Sequence, residues 1–315
     1  MMLSRHAEDL FWVGRYMERA ENTARMLDVT YHSALEAGSD RTAEEVWGDL
    51  YAILMLDGDE VAQLDGGRSL IFDTSLAFSI RSTVTKAREN TRGTRELVSA
   101  EVWEAVNSLH LELQRSAMTE IHDDRPYDVL RRTKSWGQTF SGAVYTTLAR
   151  GDGYRFIVIG QMLERAVTTV RTLQVWNERL SAHPAATAHA EWVKLLKSVS
   201  GHEAYLRTHR AQITSGRVID FLTQSDDFPR SVVFCLRVAE EHLIPMVVGD
   251  TGAPARRLLG RVRSTAQFSE PSALDNHGLS ELLGHVEEEI LRAGTEIDRA
   301  FFRPGSAVMH AYEAF

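Results

Sequence analysis

Residues 14–29, GRYMERAENTARMLDV, return as residues 160–175, GQMLERAVTTVRTLQV, at a constant offset of 146. Gly14, Glu18, Arg19, Ala20, Thr23, Arg25, Leu27 and Val29 recur as Gly160, Glu164, Arg165, Ala166, Thr169, Arg171, Leu173 and Val175. Through the first copy runs a seam of Leu10, Val13, Met17, Ala20, Ala24, Leu27 and Tyr31, in the steps of three and four that mark one face of a long helix. The same offset gives Phe156, Ile159, Leu163, Ala166, Val170, Leu173 and Asn177, so the repeat keeps its packing register. The expected architecture is all-α, a single helical-bundle-like body over 1–315 with this helix duplicated in two pseudo-halves, about 1–150 and 151–315.

Further helical periodicity marks 79–98, 100–115, 190–209, 228–247, 254–263 and 279–302, with only seven prolines in the chain to interrupt it. Ser4 is placed to cap the first helix and Gly38 to stop it. The Gly- and Pro-bearing stretches LDGDEVAQLDGGRS, SAHPA, TSGRVID, GDTGAP and FSEPSALDNHG read as breaks.

A packed core requires only apolar residues at helical spacing, so the returning charges call for their own explanation. Positions i, i+4, i+7 and i+11 share a helix face, which aligns Gly14, Glu18, Glu21 and Arg25 in one copy and Gly160, Glu164, Val167 and Arg171 in the other. Glu21 and Arg25 form a favourable i,i+4 pair worth ~0.2–0.5 kcal/mol, but Val167 removes it from the second copy. Each glycine costs ~1 kcal/mol against alanine inside a helix, which implies close approach of another backbone or of a ligand. The charges are a solvated ladder on an exposed face, or pair between helices as structural glue, or line a polar cleft. Arg81, Arg88, Arg92 and Arg95 make a second, basic stripe beside Glu89 and Asn90, suited to docking an acidic face or to clamping an anion.

Several classes of function are disfavoured. A net charge of −9 lacks the basic excess of a nucleic-acid binder, and no apolar run approaches the ~20 residues of a membrane span. The single cysteine, Cys235, precludes an internal disulfide, and the amino-terminal stretch has no signal-like apolar region, so a cytoplasmic location is expected. No zinc-protease, phosphate-loop or nucleophile-elbow motif is present, nor the paired Glu-x-x-His of helical di-metal sites; neither metal nor cofactor is expected.

The segment MLSRHAEDLFWVGRYMERAENTARMLDV resembles the amino-terminal block of the bacterial alpha-E family, all-helical proteins named for their helices and glutamates. KARENTRGTREL with EVWEAVN is similar to its second block, GDGYRFIVIGQMLERAVTTVRTLQV to its third and FPRSVVFCLRVAEEHL to its fourth. The resemblance points to Arg15, Glu18, Arg19 and Glu21; to Arg88, Glu89, Asn90, Glu101 and Trp103; to Gly160, Glu164 and Arg165; and to Pro229, Arg230 and Ser231. TSLAFSI and Gln161 depart from the pattern.

What the resemblance implies is association with a circularly permuted ATP-grasp ligase, and with a transglutaminase-like or a proteasome-like Anbu peptidase. The theme is ATP-dependent formation of amide or peptide bonds and its reversal. In that setting Glu18 and Glu164 would engage an amine or act as acid and base on a peptide or amino-acid substrate, with Arg15, Arg19, Glu21, Arg25, Arg88, Glu89, Asn90, Arg165, Arg171 and Arg230 around it. The alternatives are a non-catalytic adaptor that docks the ligase or a peptidase, and a free-standing enzyme of another mechanism.

Overall fold

The computed structural model describes residues 2–36, 42–62, 64, 66–119, 126–181, 185–210 and 212–303. Among these residues the protein is all-α, and its one β-type pairing is an isolated bridge between Val248 and Thr251. No helix among them is long and apolar enough to cross a membrane. Two compact units divide the chain, residues 1–161 and 162–315.

The helix order is written twice. A long helix α1, Ser4–Leu35, precedes three short ones, α2 (Ala43–Ile53), α3 (Gly58–Ala62) and α4 (Gly66–Phe72). Then come α5 (Ile80–Gly93), α6 (Ala100–Thr119) and α7 (Tyr127–Thr147). The sequence restarts with long α8 (Asp152–Ser181), continues through α9 (Ala185–Ser198), α10 (His202–His209) and α11 (Ser215–Gln224), and finishes with α12 (Val232–Leu243), α13 (Ala253–Phe268) and α14 (Asn276–Ile297). A short 3-10 turn follows α5 at Arg95–Leu97 and follows α12 at Ile244–Met246. Caps repeat too: Ser79 accepts from the Ser82 amide and Ser231 from the Phe234 amide, both at 3.1 Å, satisfying N–H groups that each helix leaves orphaned.

Some boundaries differ from the periodic reading. Ser4 opens α1 rather than capping it, since the N-cap is Leu3 and makes no side-chain bond. Gly38 lies outside the described residues, as does part of SAHPA. The stretch LDGDEVAQLDGGRS holds α3 and the start of α4; Asp57 and Glu60 cap α3 reciprocally, each carboxylate accepting from the other's amide at 2.8 and 3.0 Å. TSGRVID starts α11. The expected helix 190–209 is broken where Ser200 takes a left-handed φ of 51°. Helix α7 lies outside the expected helices, although its buried residues Val129, Leu130, Thr133, Gly137, Phe140 and Val144 keep a helical spacing.

In the first unit α1 packs against α2, α4, α5 and α7. Both seams are buried except at Tyr31: Leu10, Val13, Met17, Ala20, Ala24 and Leu27 on α1, and Phe156, Ile159, Leu163, Ala166, Val170 and Leu173 on α8. Burial of α1 continues around its circumference, taking in Arg15, Glu18, Glu21, Asn22 and Thr23. It is a central helix rather than an amphipathic one.

The glycines explain themselves where α1 crosses the start of α8. A Cβ on Gly14 would stand 2.1 Å from the carbonyl oxygen of Ile157, and one on Gly160 would stand 2.2 Å from that of Phe11. Ile157 is Phe11 displaced by 146, and Gly160 is Gly14 displaced by 146, so the two contacts are reciprocal, as a local two-fold requires. Backbone meets backbone, with only an α-hydrogen between.

The sign of a glycine-to-alanine change follows. Gly142, inside α7, has open space around it, so Gly142→Ala should raise stability by up to ~1 kcal/mol through helix propensity alone. Gly14→Ala and Gly160→Ala force a carbonyl aside and should instead lower it by ~2 kcal/mol or more. Urea unfolding of the three variants checks this, and stabilisation by all three would remove the crossing.

Candidate functional site

The recurrent charges lie in protected surroundings. Glu18 is 1% exposed and Glu164 is 7% exposed, too little for the solvated ladder that one amphipathic face would give. Arg15 is buried as well, its guanidinium 5.8 Å from the Phe11 ring and 5.4 Å from that of Trp12. Arg19 is half-buried, and it stands near enough to Lys86 to affect that ammonium: partial desolvation, then the Arg19 charge, lowers the lysine pKa.

Arg25 and its repeat Arg171 both have carboxylate partners, drawn from different places. On α1, Arg25 pairs with Glu21 one turn earlier. Gly137 of α7 makes room for that glutamate, since a Cβ there would sit 2.8 Å from its Oε2 and 3.0 Å from its stem. On α8, Val167 stands in place of Glu21, and Glu287 of α14 supplies the carboxylate, accepting from Arg171 Nε at 2.6 Å. Helices α7 and α14 are the last in their respective runs. The first arrangement puts the carboxylate on the long helix and glycine opposite; the second puts valine on the long helix and the carboxylate opposite. In each copy the arginine's charge is matched. Both ends of the second pair are little exposed, 13% and 14%.

Arg165 and Thr169 grip the chain that leads into α12. Arg165 Nη1 donates to the carbonyl of Pro229 at 3.1 Å, and Thr169 Oγ1 to that of Arg230 at 2.9 Å. Ser231 then caps α12. Cys235 is fully buried, its thiol directed at the Pro229 carbonyl at 3.5 Å. The fourth sequence block is therefore drawn to the third by side-chain donors of α8 that reach its backbone carbonyls. Seen from the sequence, Pro229 and Arg230 are side chains; in the fold their carbonyls do this work.

The basic stripe on α5 faces α6. Arg88 donates from Nε to Asn107 Oδ1 at 2.8 Å and from Nη1 to Glu89 at 2.9 Å, with its guanidinium 5.6 Å from the Trp103 ring. Arg92 pairs with Glu89 at 2.6 Å, and Arg95 lies 5.9 Å from Trp103. Asn90 reaches the Asp9 carbonyl of α1 at 3.4 Å. Glu101 is exposed. Arg81 donates to the Phe72 carbonyl at 3.5 Å.

Two buried groups escaped the sequence reading. His110 packs under the α5 stripe, and burial, followed by the charges of Arg88 and Arg81, lowers its pKa against the opposing pull of Glu89. The Thr85 hydroxyl donates to the Arg81 carbonyl at 2.7 Å, so toward His110 Nδ1, 3.3 Å away, it is the acceptor. On α14, Glu289 is 2% exposed and held by Arg261 of α13 and by Arg292. Burial alone would raise its pKa, but the Arg261 hydrogen bond and the charges of Arg261, Arg292 and His285 outweigh it and lower the pKa. A Glu-x-x-Arg spacing signalled the Arg292 contact; the one from Arg261 needed the fold.

The model of the family Alpha-E, described as "a predicted alpha-helical domain with a conserved ER motif", matches residues 2–302. The chain belongs to this family. Glu-Arg occurs on the recurrent helices at 18–19 and 164–165, and again at 178–179. Among similar proteins are Uncharacterized protein Mb2597 of Mycobacterium bovis and Uncharacterized protein Rv2567 of Mycobacterium tuberculosis, each 22% identical over 308 residues. The alignment covers 89% of this chain and 34% of each relative, so the chain spans about a third of their length. No solved structure matches.

The relocated carboxylate can be tested directly. Glu287→Ala leaves Arg171 without its mate and should cost ~3 kcal/mol, the lower end for a shielded pair. Adding Val167→Glu restores an i,i+4 partner as in the first copy and should recover most of that loss. Chemical denaturation of both variants decides it; a double variant no more stable than the single one would contradict the substitution of one carboxylate for the other.

Proposed function

We propose that this alpha-E chain is a non-catalytic helical adaptor in an ATP-grasp-linked system that forms amide or peptide bonds. In this reading it acts in the cytoplasm, and its recurrent Glu and Arg residues hold its own helices while its outer surface meets the ligase. The ligase performs the ATP chemistry, and a transglutaminase-like or Anbu-type peptidase belongs to the same set. Family membership and the four resembling blocks support the setting. The observation that carries the adaptor role is the α1–α8 crossing, where the room made by Gly14 and Gly160 is taken up by helix backbone. The grip of Arg165 on Pro229 and the Arg171–Glu287 pair point the same way.

A second reading has its own observation. Arg19 and Lys86 lie close enough for one cation to disfavour the other, and an anionic substrate group between them would relieve that repulsion. Glu18 would then act on a peptide or amino acid beside Arg15, Arg19 and Arg88 in the first unit, and Glu164 with Arg165 would do so in the second.

Glu18→Gln and Glu164→Gln separate the readings, because glutamine nearly preserves volume while removing charge. The adaptor reading expects a lower melting temperature in each variant, and product formation with the ligase that follows the folded fraction. Variants that melt like the wild type yet abolish product formation would overturn it in favour of the catalytic reading.

A further inference from the structure

An open cavity of about 410 Å³ in the second unit is lined by Thr208, His209, Arg210, Gln212 and Arg217, where α10 ends and α11 begins. This is within the size range of small-molecule sites. Among the described residues, none that lines it is acidic, in a chain of net charge −9. None of the recurrent Glu and Arg residues takes part in it.

Its walls are held from several sides. The His209 ring stacks on Tyr205, centroids 4.5 Å apart, and meets Phe221 edge-on at 5.8 Å. Tyr205 is itself fully buried and donates its hydroxyl proton to the Gln212 carbonyl at 2.7 Å, fixing the far wall. Arg217 Nη1 donates to Gln212 Oε1 at 2.7 Å, which orients both side chains and leaves the other guanidinium N–H groups and the Gln212 amide N–H groups as donors. His209 Nδ1 is buried without a hydrogen-bond partner among the described residues.

Arg210 is the unusual member. It occupies the left-handed region at φ 48°, ψ 49°, a conformation glycine adopts freely and a branched or long side chain adopts at a cost. The position that ends α10 would favour glycine on backbone grounds, yet it carries a guanidinium at the cavity wall.

We propose that this cavity is a binding site for a phosphate group, held by Arg210 and Arg217 with His209 and Gln212 as further donors. Two guanidinium groups supply charge and paired N–H bonds, and the imidazole and amide add further donors from other residues of the lining. A tetrahedral oxyanion uses donors from several directions, whereas a flat carboxylate uses those near one plane. The ligand class is a phosphate monoester or inorganic phosphate.

The probe is inorganic phosphate, measured by calorimetric titration and by melting temperature, with chloride and acetate at matched ionic strength. Wild-type protein should bind phosphate and melt higher in it than in either control. Arg210→Gly should fold at least as stably without phosphate, because the left-handed backbone suits glycine, and should bind phosphate at least tenfold more weakly. Arg217→Gln should weaken binding similarly, while Arg131→Gln, on exposed α7 surface, should not. The proposal is overturned if phosphate acts no differently from chloride, if acetate matches it, or if both cavity variants bind like wild type. No ligase is needed, so this result is independent of the adaptor reading.

Discussion

The first unit is organised by one contact, the meeting of the α1 and α8 backbones at Gly14 and Gly160. Two helices that touch through α-hydrogens lie closer than any side chain would allow. With α8 on one side and α2, α4, α5 and α7 on others, α1 is enclosed over most of its circumference, Glu18 and Arg15 included. Its polar residues must therefore find partners inside protein, because an uncompensated buried charge is far costlier than a surface one.

This accounts for the return of charged residues along with the seam. Arg25 and Arg171 occupy equivalent places and are each neutralised, one from its own helix and one from α14. Conserving the charge balance while moving the carboxylate is what a structural constraint permits. Arg165 adds a second kind of restraint by tying the approach to α12 to the long helix through a carbonyl. Glu-Arg on these helices thus sits where packing and electrostatics are set together, which suits a family described by an ER motif.

Much of this was legible in the sequence and some was not. The seam positions were readable because a three-four period maps directly onto burial, and even Asn177 fits, its amide donating to the Asn276 carbonyl at 2.8 Å and to Ser280 at 3.0 Å. The glycines announced a close approach, but only the fold could say that a helix rather than a ligand made it. Gly137 of α7 was silent because what explains it is Glu21, far away in sequence and adjacent in space. The cavity by α10 was equally silent, since its character comes from the left-handed turn at Arg210 and from ring packing around His209.

The most direct test of the crossing is proton–proton proximity in solution. In deuterated protein with protonated glycine, the Gly160 α-proton should show a nuclear Overhauser effect to the Arg15 amide proton, because the position a Cβ would take at 160 is 3.2 Å from that nitrogen. The account predicts this cross-peak, along with shifted resonances at the α1–α8 crossing in Gly160→Ala. A folded protein with fully assigned Gly160 and Arg15 resonances and no cross-peak between them would contradict it.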